Sequence, residues 1–239
     1  MNKIKKIFYD EIDSTNVELQ RLAGNSFIEE FTCIIADKQT RGKGQGNNSW
    51  QSNDGGLYFS FIIRPKENLA LISLLTGLAV LKTLKIYLKE VEIKWPNDIL
   101  IKNKKICGIL TEGKFKGSLL DYIIIGCGIN INQTFFEDIS NNTPTSLFLE
   151  TKKEFNKNII LDSFFDNFIY YYGLSEAKKE NIILDEINES LYNKNNFSKI
   201  KKNENEIILG KILKVNYDGS LLVEYLDEEI KIYSGNILF

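Results

Sequence analysis

The apolar runs of this chain are short, rich in β-branched and aromatic residues, and in places follow one another with no helix between them. Phe31–Ala36 and Leu57–Ile63 read as buried strands, and Val91–Trp95, Lys105–Glu112 and Tyr122–Gly126 come in succession with a tight turn at Asn103-Lys104. Strands spaced for hairpins do not wind into alternating βαβ units. Together with helical patterns at 68–88, 160–172 and 176–192, they predict an α+β fold, a mixed sheet backed by helices rather than a doubly wound parallel sheet. Near the start, Lys3–Tyr9 reads as a strand. Asp13-Ser14-Thr15-Asn16 then opens a helix, with Thr15 and Glu18 at capping-box spacing and Gly24 as its stop.

Composition divides the chain. Residues 192–206 are rich in Asn and Lys and poor in large apolar groups, which reads as a linker. Beyond it, Ile207–Val215, Ser220–Tyr225 and Glu229–Tyr233 are short strands punctuated by Asp218-Gly219 and Ser234-Gly235, ending on Ile237-Leu238-Phe239. The expected organisation is a catalytic domain over 1–191, a linker over 192–206, and a small β-domain over 207–239. A module this small needs more apolar burial than it can supply alone, so it is expected to dock.

Lys and Arg number 30 against 32 Asp and Glu, a net charge of −2 that argues against wholesale nucleic-acid binding. The most apolar stretch, Leu69–Leu88, is interrupted by Lys82 and Lys85 and reads as a core helix rather than a membrane span. The N-terminus lacks the apolar run of a signal peptide, and Cys33, Cys107 and Cys127 have no metal-ligand spacing. A reducing cytoplasm is the expected setting.

The chain contains no histidine. That removes the commonest general base and every imidazole triad, so any chemistry must run on lysines, carboxylates, amides and backbone groups. Four constellations offer such groups. Thr40-Arg41-Gly42-Lys43-Gly44-Gln45-Gly46 precedes Trp50, and its glycines free backbone N–H groups for a phosphate nest while Arg41 and Lys43 add charge. Lys94-Trp95-Pro96-Asn97-Asp98 puts an amide and a carboxylate at a strand end, ahead of Lys105 and Gly108. Ile123–Gly126 runs into Cys127-Gly128-Ile129-Asn130, and Asp13-Ser14-Thr15-Asn16 sits at a helix start where free N–H groups meet polar ligands. Taken singly, each also reads as an ordinary loop, turn or cap.

Their order along the chain resembles that of the biotin–protein ligase family, closely over residues 8–135 and loosely over the C-terminal module. The resemblance implies a core like that of certain class II aminoacyl-tRNA synthetases, followed by a small β-barrel. It implies activation of biotin with ATP and Mg²⁺ and transfer to a lysine of a carrier domain, such as the biotin carboxyl carrier protein of acetyl-CoA carboxylase. It carries biotin contacts onto Ser14, Thr15, Asn16, Gln39, Lys43, Gly44, Gln45, Lys105, Gly108 and Gly126, and ATP contacts onto Arg41, Trp50 and Asn130. Lys105 and Lys43 are the catalytic cations, and Asp98 is either the acceptor of the incoming lysine's proton or a turn-fixing carboxylate. No side chain is expected to form a dedicated metal site.

Lys43 stands where the family usually has an arginine, and Gln45 where many members carry a second one, so Arg41 is the candidate to supply the missing charge. Some relatives carry an N-terminal helix-turn-helix; motifs that begin at Asp13 leave no room for one, so DNA binding is not expected. A homodimer is left open. Three rivals remain. A lipoate or octanoate ligase shares the fold but typically has Gly-Gly-Gly and His-Asp, which this chain lacks. A non-catalytic biotin sensor would not need both Lys105 and Asp98. An RNA-binding protein would need a more basic surface.

Overall fold

The computed structural model describes residues 4–65, 69–137, 143–203 and 206–238. In chain order the elements are β1 Lys5–Ile12, α1 Thr15–Asn25, β2 Thr32–Gln39, β3 Leu57–Ile63, α2 Ile72–Lys85, β4 Val91–Lys94, β5 Asp98–Ile101, β6 Lys104–Lys116 and β7 Leu119–Ile129. Then come α3 Leu147–Thr151, α4 Lys157–Glu176, α5 Glu180–Glu189, β8 Phe197–Asn203, β9 Glu206–Val215, β10 Leu221–Tyr225, β11 Glu228–Ile232 and β12 Asn236–Ile237. The class is α+β, as expected. The chain divides into two compact units, one formed by 1–67, 106–136 and 145–161, the other by 68–105, 137–144 and 162–239.

The first unit is built on a sheet ordered β1-β2-β3-β7-β6. β1 and β2 are parallel, and every other pairing in this run is antiparallel, which makes the sheet mixed. β3 is buried at every residue. On the α1 face its Ile62 joins Leu19, Ile34, Tyr122 and Ile124 in the core, with Ile7, Tyr9 and Leu22 packed at the margin. The strand β7 runs longer than Tyr122–Gly126 because β6 opposite it extends to Lys116 and keeps the ladder paired.

The start of α1 corrects the capping-box reading. Ser14 is the N-cap but its side chain accepts no capping bond, and the Thr15 hydroxyl turns instead toward Gln39 and Ser60. Glu18 receives the Tyr9 hydroxyl and pairs with Arg21. Gly24 lies inside the helix, which ends at Ser26.

In the second unit α2 is apolar nearly all round and correspondingly buried. A 3-10 turn, Leu69–Leu71, precedes it, and residue 68 of the expected helix lies outside the described residues. β4 and β5 form a hairpin whose turn is Trp95-Pro96-Asn97, with a cis Trp95–Pro96 bond. The sequence pattern puts Asn97 and Asp98 at a strand end but does not show β5, a four-residue strand. The following turn falls on Lys102 and Asn103, both at positive φ, one residue earlier than read.

Residues 192–206, read as a linker, contain β8, so the C-terminal sheet begins ten residues before the expected boundary. Its composition misled because β8 presents Phe197 and Lys199 outward and buries only Ser198 and Ile200. The five strands run β11-β10-β9-β8-β12, all antiparallel. The sheet is docked within its unit: the Trp95 indole N–H donates to the Gly219 carbonyl at 3.0 Å, and Asn188 pairs with the backbone of Val215 through both amide ends. Gly219, at φ +75°, is necessary there, because a Cβ would sit 2.6 Å from the Ala70 carbonyl oxygen. Of the expected apolar end, Phe239 lies outside the described residues.

Candidate active site

In the first unit a chain of polar side chains crosses from α1 to the sheet. The Thr15 N–H and hydroxyl both approach Gln39 Oε1, at 2.8 and 3.1 Å, and the same hydroxyl lies 2.7 Å from Ser60 Oγ. Ser60 in turn donates to Asn16 Oδ1, and Asn16 Nδ2 donates to Glu112 at 2.7 Å. Gln20 donates to Glu112 as well, at 3.0 Å, and Gln39 Nε2 reaches Ser52 at 2.7 Å. Ser14, Thr15 and Asn16 are all buried. The helix start therefore does not offer a bare N–H at Thr15, since a side chain from the end of β2 has taken it.

Sequence reasoning missed Ser60, Glu112 and Gln20. Ser60 had a signal, being the one small polar residue in a strand, Leu57–Ile63, that is otherwise aliphatic and aromatic. Its partners are 44 and 45 residues away in sequence, beyond what local spacing can show.

Two glycines of β7 make room beneath these groups. A Cβ on Gly126 would fall 2.1 Å from Asn16 Oδ1, and one on Gly128 would fall 2.4 Å from Trp50 Nε1. Gly108 pairs across the ladder with Gly128, so glycine faces glycine on the two strands at this level of the sheet. Beyond β7, Asn130 is buried, its Oδ1 receiving Gln133 Nε2 at 3.1 Å.

The glycine loop is a small hairpin rather than an open nest. Trp50 N donates to Gly42 O at 2.9 Å, Gly44 N to Asn48 O at 2.8 Å, and Lys43 bridges to Ser49. The Gly44 N–H is thus spent inside the loop. Gly42 is needed where it is, since a Cβ there would meet the Trp50 carbonyl oxygen at 2.5 Å. Lys43 and Gln45 are exposed and stand apart from the polar chain. Arg41 is also exposed, its guanidinium 3.9 Å from the Asp13 carboxylate.

The second unit holds a charge cluster. Cross-strand pairing places Lys94 opposite Asp98 on the β4–β5 hairpin, with Nζ 3.8 Å from Oδ2, and Lys105 Nζ reaches Asp98 Oδ1 at 2.6 Å. Lys94 and Asp98 are 4% and 7% exposed, so the carboxylate is flanked by two cations with little water to screen them. Burial holds the Lys94 ammonium below the usual lysine range; the Asp98 charge opposes that shift and the Lys105 charge adds to it. Among the described residues no group of three or more His, Cys, Asp or Glu side chains is placed to hold a metal ion. No helix of the described residues is long and apolar enough to cross a membrane.

The chain has clear relatives. It is 39% identical over 148 residues to the bifunctional ligase/repressor BirA of Bacillus spizizenii, an alignment covering 59% of this chain and 45% of that one. It is 29% identical over 125 residues to the biotin–[acetyl-CoA-carboxylase] ligase of Paracoccus denitrificans, covering 50% of this chain and 51% of that one. This chain thus spans about half the length of these relatives. Among solved structures, the biotin protein ligase of Aquifex aeolicus in complex with biotin and ATP superposes with a TM-score of 0.86 at 28% identity, covering 98% of this chain and 97% of that one. The profile of the biotin/lipoate A/B protein ligase family matches residues 9–130, just over half of the 239, and the chain belongs to that family.

Proposed function

We propose that the protein is a biotin–protein ligase that forms biotinyl-AMP from biotin and ATP and passes the biotinyl group to a lysine of a carrier protein in the cytoplasm. The observation that carries this reading is the buried polar chain Gln39–Thr15–Ser60–Asn16–Glu112, with Gly126 leaving space below Asn16. Alternating donors and acceptors of this kind suit a ureido group, which offers two N–H donors and a carbonyl on one edge. The likeness to the Aquifex aeolicus ligase supports it at an identity above chance resemblance.

Activation joins two anions, a carboxylate and the α-phosphate, so its barrier is largely charge repulsion and alignment. Lys105, with Lys43 from the loop, supplies cations for it, which needs no histidine. Trp50 gives the adenine an aromatic face, and Arg41 and Asn130 serve the phosphates. Ser14, Gly44, Gln45 and Gly108 complete the contacts to biotin. Mg²⁺ would come with the nucleotide and neutralise charge on its phosphates. In the second step Asp98 takes or orients the proton of the incoming lysine, with Lys94 remaining beside it when Lys105 engages the substrate. The catalytic domain is assigned to 1–191.

The test is biotin-dependent exchange of labelled pyrophosphate into ATP, followed by labelling of a carrier domain. Exchange with lipoate or octanoate but none with biotin would replace this reading by that of a lipoate ligase.

A further inference from the structure

The hydrogen bonds around Asn130 determine which end of its amide is spent inside the protein. They begin at the backbone carbonyl of Asn53, a group that can only accept. Tyr58 Oη lies 2.7 Å from it, so the phenol proton is donated there. Tyr58 is fully buried, and burial raises its phenol well above the usual range, so that proton stays in place. A phenol whose one proton is used can only accept from its other neighbour. That neighbour is the Gln133 amide at 3.1 Å, which must therefore present Nε2.

The second N–H of the same nitrogen meets the Asn130 amide at 3.1 Å, and only Oδ1 can accept it. Gln133 is 5% exposed, and its Oε1 has no hydrogen-bond partner. An orphaned buried carbonyl is costly, yet turning the amide over would set its oxygen against a phenol already committed to Asn53. The polarity of the chain thus runs one way, from Asn53 through Tyr58 and Gln133 to Asn130. Among the described residues Asn130 Nδ2 makes no hydrogen bond. Asn130 follows Gly128, the position beneath Trp50, by two residues, just past the end of β7.

We propose that Tyr58 and Gln133 are positioning residues that hold the Asn130 amide with Nδ2 toward the ligand, so that Asn130 donates to an anionic phosphate oxygen of the nucleotide and does not offer its carbonyl oxygen to the metal ion. This rests on the ATP-dependent reading above. It gives a reason for the buried tyrosine and glutamine that stand behind Asn130.

The experiment is calorimetric titration of the full chain with ATP, in Mg²⁺ and in EDTA. Asn130→Ala is expected to lose affinity by roughly 10- to 100-fold, the scale of a hydrogen bond to a charged group, and by the same factor in both buffers. A loss confined to Mg²⁺ would mean that the side chain acts on the metal, and overturns the proposal. Asn130→Asp keeps an acceptor for Gln133 but turns a carboxylate oxygen to the phosphate. It should bind ATP more weakly than Asn130→Ala, whereas a lowered Mg²⁺ requirement contradicts the donor role. Gln133→Glu faces both neighbours with acceptors and should approach the Asn130→Ala affinity; ATP binding like wild type refutes the positioning role. Biotin affinity, measured alongside, should be unchanged in each variant and reports that the fold is intact. A wild-type chain that binds no ATP overturns the ligase reading itself, an outcome distinct from these.

Discussion

Gly126→Ala is the sharpest perturbation of the polar chain. The added Cβ would lie 2.1 Å from Asn16 Oδ1 and 3.0 Å from its Cγ, more than an ångström inside ordinary contact for the nearer atom. Asn16 is buried, so it cannot swing into solvent; it has to leave Ser60 and Glu112, its partners on two strands. Losing the neutral bond costs about 1 kcal/mol and the one to a carboxylate about 2 kcal/mol. Forcing a methyl into a packed site adds about 1 kcal/mol or more. The sum, about 3–5 kcal/mol, is a large share of the roughly 5–15 kcal/mol of a typical domain, so the variant should fold but weakly. Urea denaturation of wild type, Gly126→Ala, Asn16→Ala and the double variant closes a cycle. If the clash with Asn16 is the cause, removing Asn16 first makes the methyl nearly harmless, with a coupling of at least about 1 kcal/mol. Additive costs would refute the reasoning, as would biotin-induced stabilisation of Gly126→Ala equal to that of wild type.

Three further outcomes follow from the structure. Lys105→Ala should lower biotin-dependent pyrophosphate exchange by about 100-fold or more, the usual effect of losing one preorganised charge, and a rate within threefold of wild type would remove Lys105 from the mechanism. Trp95→Phe deletes the indole donor to Gly219 while keeping the ring buried, and should cost about 1 kcal/mol by denaturant titration; no loss would mean that contact does not hold the C-terminal sheet. Hydrogen bonds from Ser220 and Lys231 hold the Asp218 carboxyl down at about 2, so it favours the folded state above the ordinary carboxylate value, and that contribution fades as pH falls through about 2. Ser220→Ala should therefore move the acid-unfolding midpoint upward, and an unmoved midpoint would show that the carboxylate contributes little there.

Much of the architecture was legible because it is written in local pattern. Leu57–Ile63 is apolar at six of seven positions and bounded by Gly56 and Pro65, and the structure places β3 on those same residues. The α+β class followed from strands set too close for crossover helices, and the loop, Lys-Trp-Pro-Asn-Asp and glycine motifs announced the family by their order alone. The missing histidine by itself narrows the chemistry to lysines, carboxylates, amides and backbone groups.

What only the tertiary structure decided depends on pairs far apart in the chain. Local spacing suggested that Thr15 and Glu18 cap one another, but folding brings Gln39 and Ser60 to Thr15, and a buried hydroxyl takes the partner that completes its hydrogen bonds. β8 looked like a linker because an antiparallel strand with one outward face needs few apolar residues of its own; it becomes a strand by pairing with β9 alongside. Lys94, Asp98 and Lys105 become one charge cluster only when a turn at Trp95–Asn97 folds β5 back on β4. The direction of the Asn130 amide is set by a backbone carbonyl at Asn53, seventy-seven residues earlier in the chain, by way of two side chains that no spacing rule connects. Periodicity fixes which residues share a face, because backbone geometry is local. Which donor meets which acceptor is settled only when the whole sheet closes and every buried polar group must be matched.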